Sequence, residues 1–492
     1  MSTIYGLAHY RLRRRLPTGL LLTGLQVCAR LPMALEAILS AKRRRLAMQP
    51  PRVAPMPSPC TGPGLAAGLA QPWPALIPEC KAASPSAGML IADYDPAALA
   101  AGYDGIADAV SVLTEPEFFG GDLTHLIRVR EATAAPLLRK DFMLGPQEVT
   151  EARIFGADAV LLMLSILDDS DWQSCFDAAR AFGMDALTEV HNEAELARAL
   201  TLGAPIIGIN NRDLGTLAVD LSVTERLAPL VPANRRIVCE SGITSRNDVL
   251  RLAPLVDGFL VGTSLSRSTD PARSARELAF GRVKVCGLTR AEDAVVAWKA
   301  GAVLGGLIFV ADSPRCIDFA TARRIQAAAP LSWVGVFRNQ SIYEVAAKAS
   351  DMKLAAVQLH GHEDTAYAHS LREHLPPGCE IWKAVPAVGP FPQASEYGAE
   401  RLLLDTGRGG RLGGSGITFD ARALAGANLS NCVLAGGITP ENIAAATALG
   451  AWALDVNSGL ERSPGIKSAT RMHRLFTTLR TLPGRRSNDH NC

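Results

Sequence analysis

At 492 residues the chain is too long for one ordinary core and suits two domains of about 200 to 250 residues. Its 50 Lys and Arg stand against 48 Asp and Glu, a net charge of +2, so the overall field gives no reason to expect nucleic acid or an anionic membrane as partner. Ten scattered cysteines, with no C-x-x-C and no paired Cys/His zinc spacing, read as reduced thiols of a cytoplasmic protein, and no apolar run reaches the ~18 residues of a membrane span.

In chain order, Arg11, Arg13, Arg14 and Arg15 precede the short apolar "GLLLTGL", a faint likeness to a signal peptide. That reading is rejected, because Gly and Thr interrupt the apolar run and no small-residue cleavage site follows. Leu35, Ile38, Leu39 and Leu46 then recur near helical spacing and predict one amphipathic helix. From Pro50 to Pro74 the sequence is crowded with Pro and Gly and reads as a linker or loose lid. Residues 1–74 form an N-terminal extension on this reading.

From Ala75 short apolar runs recur eight times: ALIPECK, AVSVLTE, PLLRKDF, AVLLMLS, DALTEV, IIGINNR, RIVCESG and GFLVGTS. Amphipathic stretches that stop at Gly lie between them. Fully apolar strands alternating with helices predict a parallel sheet covered on its outside, and eight such units close a (β/α)8 barrel. The helix "PARSARELAF" ends this barrel, and at Val283 the count restarts with VKVCGLT, VLGGLIF, SWVGVF, AAVQLHG, EIWKAV, RLLLDT, CVLAGGI and ALDVNSG. The fold class is therefore α/β, two consecutive TIM barrels over residues 75–281 and 282–492. One sixteen-stranded doubly wound sheet would be unusually large and lacks a G-x-G-x-x-G turn.

Chemistry in such barrels sits at the C-terminal strand ends. In the first barrel these carry Glu79, Lys81, Lys140, Asp141, Glu189, Asn210, Arg212, Glu240 and Ser241. A ring of Lys and Glu suits acid/base work on an anionic substrate; structural ion pairs holding neighbouring strands in register are the bland counterpart. "ESGI" and "VGTSL" after strands seven and eight suit a phosphate ester, although any helix cap also uses Thr or Ser. The second barrel supplies Cys286, Arg315, His360, Asp405, Gly436, Gly437, Asn457 and Ser458. A thiol on strand one and a carboxyl on strand six can take and give protons on opposite sides of a sugar, an isomerase arrangement. A buried structural Cys and a turn-capping Asp are the plainer reading. Gly407, Gly409, Gly410, Gly413, Gly414 and Gly416 after strand six predict a mobile lid. "HGHE" is not a metal motif, and no metal is expected.

"ECKAASPS", "LLRKDF", "LLMLSILDD", "LTEV", "GINNRDL" and "ESGI" resemble indole-3-glycerol phosphate synthase, and "KVCGLTR", "GLIFVADSPR", "GVFRN", "VQLHG", "LLLDT", "LAGGI" and "PGIK" resemble phosphoribosylanthranilate isomerase. Fused in this order they resemble the bifunctional tryptophan-biosynthesis enzymes, over about residues 75 to 480. The resemblance implies Lys140 as general acid and Glu189 as general base of indole closure, with Glu79 and Lys81 in the catalytic ring. Asn210, Arg212, Glu240 and Ser241 would line that substrate, and Ser84, Gly242, Gly262 and Thr263 would hold its phosphate. In the isomerase half it implies Cys286 as base and Asp405 as acid of an Amadori rearrangement, Arg315 paired with the anthranilate carboxylate, and His360 lining the site. Gly436, Gly437, Asn457 and Ser458 would bind the second phosphate. It implies no cofactor, small phosphorylated substrates as the only partners, and a cytoplasmic monomer. The family enters its first barrel through an ordered helix that helps cover the synthase site, whereas the stretch before Ala75 is Pro-rich and dissimilar. A phosphosugar epimerase or aldolase pair would need a metal cluster or a lone Schiff-base Lys, and a scaffold barrel would show eroded strand ends.

Overall fold

The computed structural model describes residues 33–48, 58–85, 88–387, 391–406, 421–424 and 426–481. The N-terminal Arg-rich segment and the Gly-rich stretch after strand six of the second barrel, read above as a lid, lie outside the described residues.

All sixteen apolar runs form strands. The first barrel closes through Ala75–Cys80, Val110–Leu113, Leu137–Lys140, Ala159–Met163, Asp185–Val190, Ile206–Asn210, Arg236–Glu240 and Gly258–Val261, strand one pairing in parallel with strands two and eight. The second closes in the same order through Val283–Val285, Leu304–Ile308, Ser332–Phe337, Ala356–Leu359, Glu380–Pro386, Arg401–Asp405, Cys432–Leu434 and Ala453–Val456. Each strand is buried on both faces, which is why these runs are continuously apolar rather than alternating. Inward residues such as Ile77, Leu138, Leu187 and Val238 fill the first barrel, and Val334, Trp382 and Leu403 fill the second. The C-terminal strand ends are left for charge.

The helix Pro271–Phe280 joins the barrels. Asp270 caps it by accepting from the Arg273 N–H, and Gly281 ends it at φ +79°, a left-handed-side turn from which strand one of the second barrel departs at Val283. The last helix, Ala469–Arg480, returns to the first barrel: the Arg480 guanidinium donates to Asp108 and to the Ile106 carbonyl, both at 2.6 Å, while Arg246 donates to the carbonyls of Leu278, Ala279 and Leu479. Phe280 and Phe476 meet edge to face with centroids 5.5 Å apart. The barrels are packed against each other, not strung on a linker.

The N-terminal extension differs most from its reading in the sequence. Met33–Met48 is the expected helix, with Leu35, Ile38 and Leu39 buried, but it also buries Lys42 completely between Asp141 (2.7 Å) and Glu148 (2.6 Å). From Ser58 onward the Pro-rich stretch read as a linker or loose lid is packed: the Cys60 N–H donates to the Phe182 carbonyl, and Leu65 and Leu69 are buried among the residues that fill the first barrel. Proline there fixes turns rather than freeing the chain.

Candidate functional site

Two cavities lie at the C-terminal strand ends, one per barrel. The first, about 500 Å3, is lined by Glu79, Lys81, Ser84, Lys140, Glu189, Asn210, Arg212, Glu240, Ser241, Gly242, Gly262 and Thr263, together with Leu35 and Ile38 of the N-terminal helix. The helical cover that the dissimilar sequence obscured is therefore in place. Phe119, Phe142, Leu214 and Leu217 give the same cavity an apolar wall suited to an aromatic ring.

The charged ring is a layer drawn from alternate strands. Lys140 and Glu240 end strands three and seven, Glu79 and Glu189 lie one residue before the ends of strands one and five, and no two of these strands are neighbours, so their side chains converge across the barrel axis. The Lys140 ammonium lies 2.5 Å from Glu240 and 3.3 Å from Glu189. Pairs that merely held adjacent strands in register would join neighbours. Burial alone would push Lys140 down, but Glu240, Glu189 and Glu79 outweigh it and hold its ammonium above the usual lysine range. The two carboxylates it bridges diverge. Burial, reinforced by Glu189 and opposed by Lys140, lifts Glu240, whereas Lys140 and His191 overcome burial and hold Glu189 below the usual carboxylate range. Neighbouring groups of opposite tendency are what a proton-transfer site needs.

Around this layer, Lys81 contacts Glu79 at 2.6 Å and donates to the Thr263 hydroxyl at 3.2 Å. A Cβ at Gly262 would lie 2.2 Å from the Glu79 Oε1, so glycine there makes room for the pair. The Ser84 hydroxyl is buried without a hydrogen-bond partner among the described residues and borders the same cavity. Ser241 has φ +63° ahead of Gly242 at +93°, an uncommon conformation that turns the strand-seven end over the mouth. Arg212 is held at the rim by donating to the Leu217 carbonyl.

The second cavity, about 290 Å3, is lined by Cys286, Arg315, His360, Asp405, Gly436, Gly437, Asn457 and Ser458, and also by Gln358 and Asp455. Cys286 directly follows strand one and Asp405 ends strand six, three strands away around the closed barrel, and both are buried. His360 Nε2 lies 3.5 Å from Asp405. Arg315 closes the fork edge of Nε and Nη2 on Glu461, both at 2.8 Å. Lys467 donates to Asn457 Oδ1 at 2.8 Å and fixes that side chain at the rim.

Several functional-site residues escaped the sequence reading. Lys284 and Asp455 interrupt apolar strands at fully buried and nearly buried positions, a visible signal that the strand-end rule passes over. Gln358, one residue before a strand end, carries no such signal. His191 lies just beyond Glu189 and bridges it to Glu195, at 3.3 and 3.0 Å; burial opposes its protonation, but the two carboxylates raise it to about 10.

The description of the family matching residues 65–278 is "Indole-3-glycerol phosphate synthase", and that of the family matching residues 283–478 is "N-(5'phosphoribosyl)anthranilate (PRA) isomerase". The chain is 46% identical to the tryptophan biosynthesis protein TrpCF of Yersinia pestis, over 82% of this chain and 84% of that one. It is 45% identical to the TrpCF of Vibrio cholerae over 82% and 86%. A solved phosphoribosyl anthranilate isomerase of Thermus thermophilus is 39% identical, over 40% of this chain and 98% of that one, with a TM-score of 0.36. With two closed barrels in this order and both families matched in turn, the chain belongs to the bifunctional tryptophan-biosynthesis enzymes that join an indole-3-glycerol phosphate synthase to a phosphoribosylanthranilate isomerase.

Proposed function

We propose that each of the two reactions is carried by the ring of side chains at one barrel mouth, and that the chain divides as residues 75–281 and 282–492. The C-terminal barrel isomerises N-(5-phosphoribosyl)anthranilate to 1-(2-carboxyphenylamino)-1-deoxyribulose 5-phosphate, and the N-terminal barrel converts that product to indole-3-glycerol phosphate with loss of CO2 and water.

In the isomerase cavity, Asp405 protonates the furanose oxygen as the anilino nitrogen pushes the ring open. Cys286 then removes the C2 proton, and that electron pair moves into the C1–C2 bond to give an enolamine that tautomerises to the ketone. Placement on non-adjacent strands around one cavity supports this pairing. With one fork edge of Arg315 closed on Glu461, the edge formed by Nη1 and Nη2 is the one assigned to the anthranilate carboxylate. His360 borders the acid, and Gly436, Gly437, Asn457 and Ser458 receive the phosphate.

In the synthase cavity, Lys140 protonates the ketone oxygen, which makes that carbon electrophilic toward the aromatic ring. CO2 leaves and its bonding pair stays with the ring, which restores aromaticity, and Glu189 accepts a proton as water departs. Glu79 and Lys81 complete the ring, Asn210, Arg212, Glu240 and Ser241 orient the substrate, and Ser84, Gly242, Gly262 and Thr263 hold its phosphate. The single observation that carries this assignment is the convergence of three strand-end carboxylates, Glu79, Glu189 and Glu240, on Lys140. The chain acts as a cytoplasmic monomer on this reading, and the free cysteines among the described residues support a reducing compartment.

The test supplies each barrel's substrate separately to the full chain. Cys286→Ala is expected to abolish isomerisation and spare indole formation, and Lys140→Ala the reverse; loss of both activities in either folded variant refutes separate sites.

A further inference from the structure

The base assigned to the isomerase is an awkward one. Cys286 is 4% exposed, and a thiolate is disfavoured wherever water is excluded. Burial and the nearby Asp455 do push this thiol up, and Lys284 and Lys467 oppose them. What makes a base of such a thiol must lie within contact distance.

Lys284 does. It sits on the first strand two residues before the cysteine, its side chain wholly buried, and its ammonium has three contacts: Gln358 Oε1 at 2.8 Å, Asp455 Oδ2 at 2.9 Å and Cys286 Sγ at 3.2 Å. An ammonium has three donors, and here the third is directed at sulfur. Strand two makes room for this, since a Cβ at Gly306 would lie 2.7 Å from Sγ and 3.0 Å from the Lys284 Cε. The other cations near the thiol are committed elsewhere: Arg315 and Lys467 both bind Glu461, at 2.8 and 2.9 Å. Across the cavity, Gln358 Nε2 meets His360 Nδ1 at 2.9 Å, and His360 reaches Asp405, so the lysine is fixed by the same polar chain that borders the acid.

We propose that Lys284 is a positioning residue for the isomerase, the buried cation that stabilises the Cys286 thiolate and aims it at the substrate carbon. This rests on the reading of Cys286 as the base. The proton balance is closed by solvent. The thiolate takes the C2 proton and becomes a thiol, Asp405 gives its proton to the ring oxygen, and after product leaves the thiol loses a proton to water and the carboxylate regains one. Lys284 stays protonated throughout, its charge balanced by Asp455 before the thiolate forms and shared with sulfur afterwards. A lysine that served only to neutralise Asp455 in the barrel interior would need no approach to sulfur.

The charged and titratable groups facing Cys286 are Lys284, Asp455, Lys467 and Arg315, with His360 and Asp405 on the far wall. The test measures the pH midpoint for alkylation of Cys286 by iodoacetamide in the full chain, read on its own peptide by mass spectrometry, beside the pH profile of isomerase kcat/KM. Lys284→Met is expected to move both midpoints to higher pH by about one unit or more, about tenfold in thiolate fraction at fixed pH. Asp455→Asn, which keeps the cation and removes its competing anion, moves the alkylation midpoint the opposite way, and Lys284→Arg keeps it nearer the unmodified chain than Lys284→Met does. Synthase activity of the same polypeptide reports that the protein is intact; if Lys284→Met does not fold, the Asp455→Asn and Lys284→Arg shifts decide the matter. An unmoved alkylation midpoint in folded Lys284→Met, or an upward shift in Asp455→Asn, overturns the proposal. Retained isomerase activity in Cys286→Ala overturns instead the reading of Cys286 as base.

Discussion

Lys42 makes the sharpest prediction, because its own chain carries the control. Its ammonium is wholly buried between Asp141 and Glu148, and it is the polar anchor of the helix that brings Leu35 and Ile38 to the synthase cavity. Asp141 adjoins Lys140 and is further held by Arg139 at 2.9 Å and by the Thr114 hydroxyl at 2.8 Å. Lys42→Met leaves Asp141 with those partners but leaves the Glu148 carboxylate, among the described residues, with only the Leu144 N–H, at 2.7 Å. Removing one member of a buried ion pair costs about 3–5 kcal/mol, and because Asp141 keeps a cation the lower figure applies. About 3 kcal/mol lowers the docked population of the helix relative to the undocked about a hundredfold. The synthase kcat/KM is then expected to fall about ten- to a hundredfold, while the isomerase, in the other barrel, stays within about twofold. Lys42→Met with Glu148→Gln removes the stranded charge and restores part of the loss. Both rates are measured on one preparation with separately supplied substrates. Unchanged synthase activity, or an equal fall in both activities, refutes the reasoning.

Three further outcomes follow from single contacts. His191→Gln removes a cation that holds Glu189 low, so the Glu189 pKa rises and the acidic limb of the synthase pH profile moves to higher pH; an unmoved limb counts against His191 as its partner. Gly306→Ala places a methyl against Cys286 and Lys284 and is expected to lower isomerase kcat/KM at least about tenfold with the synthase intact, read in the same paired assay. Arg480→Ala strips the buried Asp108 of its cation at the junction of the barrels. Burial already raises the Asp108 pKa despite Arg480, so the loss of thermal stability is expected to be larger at pH 8 than near pH 5, where protonation of the stranded carboxyl relieves it; Arg480→Met with Asp108→Asn recovers most of the midpoint.

The barrels were legible in the sequence because burial of both strand faces writes itself as unbroken apolar runs, and because helix ends are punctuated by Gly and Asp. The extension before Ala75 was not. Its prolines suggest looseness when read locally, whereas what orders it is tertiary: Leu65 and Leu69 enter the first barrel's core, and Lys42 finds its anions 99 and 106 residues away. A lysine in "SAKRRRLA" looks like one more solvated charge among arginines. Only the fold separates it from Arg43 and Arg44, which are exposed.

The same limit governs the sites. The strand-end rule names every ionisable group that borders a mouth, but which of them act on one another depends on strand parity. Glu79, Lys140, Glu189 and Glu240 form one layer because they sit on odd strands, and a one-residue shift in any run would turn its carboxylate or ammonium out of the barrel. The second barrel is read one step deeper, since Lys284 acts from inside the strand rather than from its end and reaches Gln358 on strand four and Asp455 on strand eight. Interior charge in an all-apolar strand is costly unless it is fully partnered. Lys284 is partnered by a carboxylate, an amide and a thiol, and of these three the thiol gains most from a cation, because its charged form is the one that burial alone forbids.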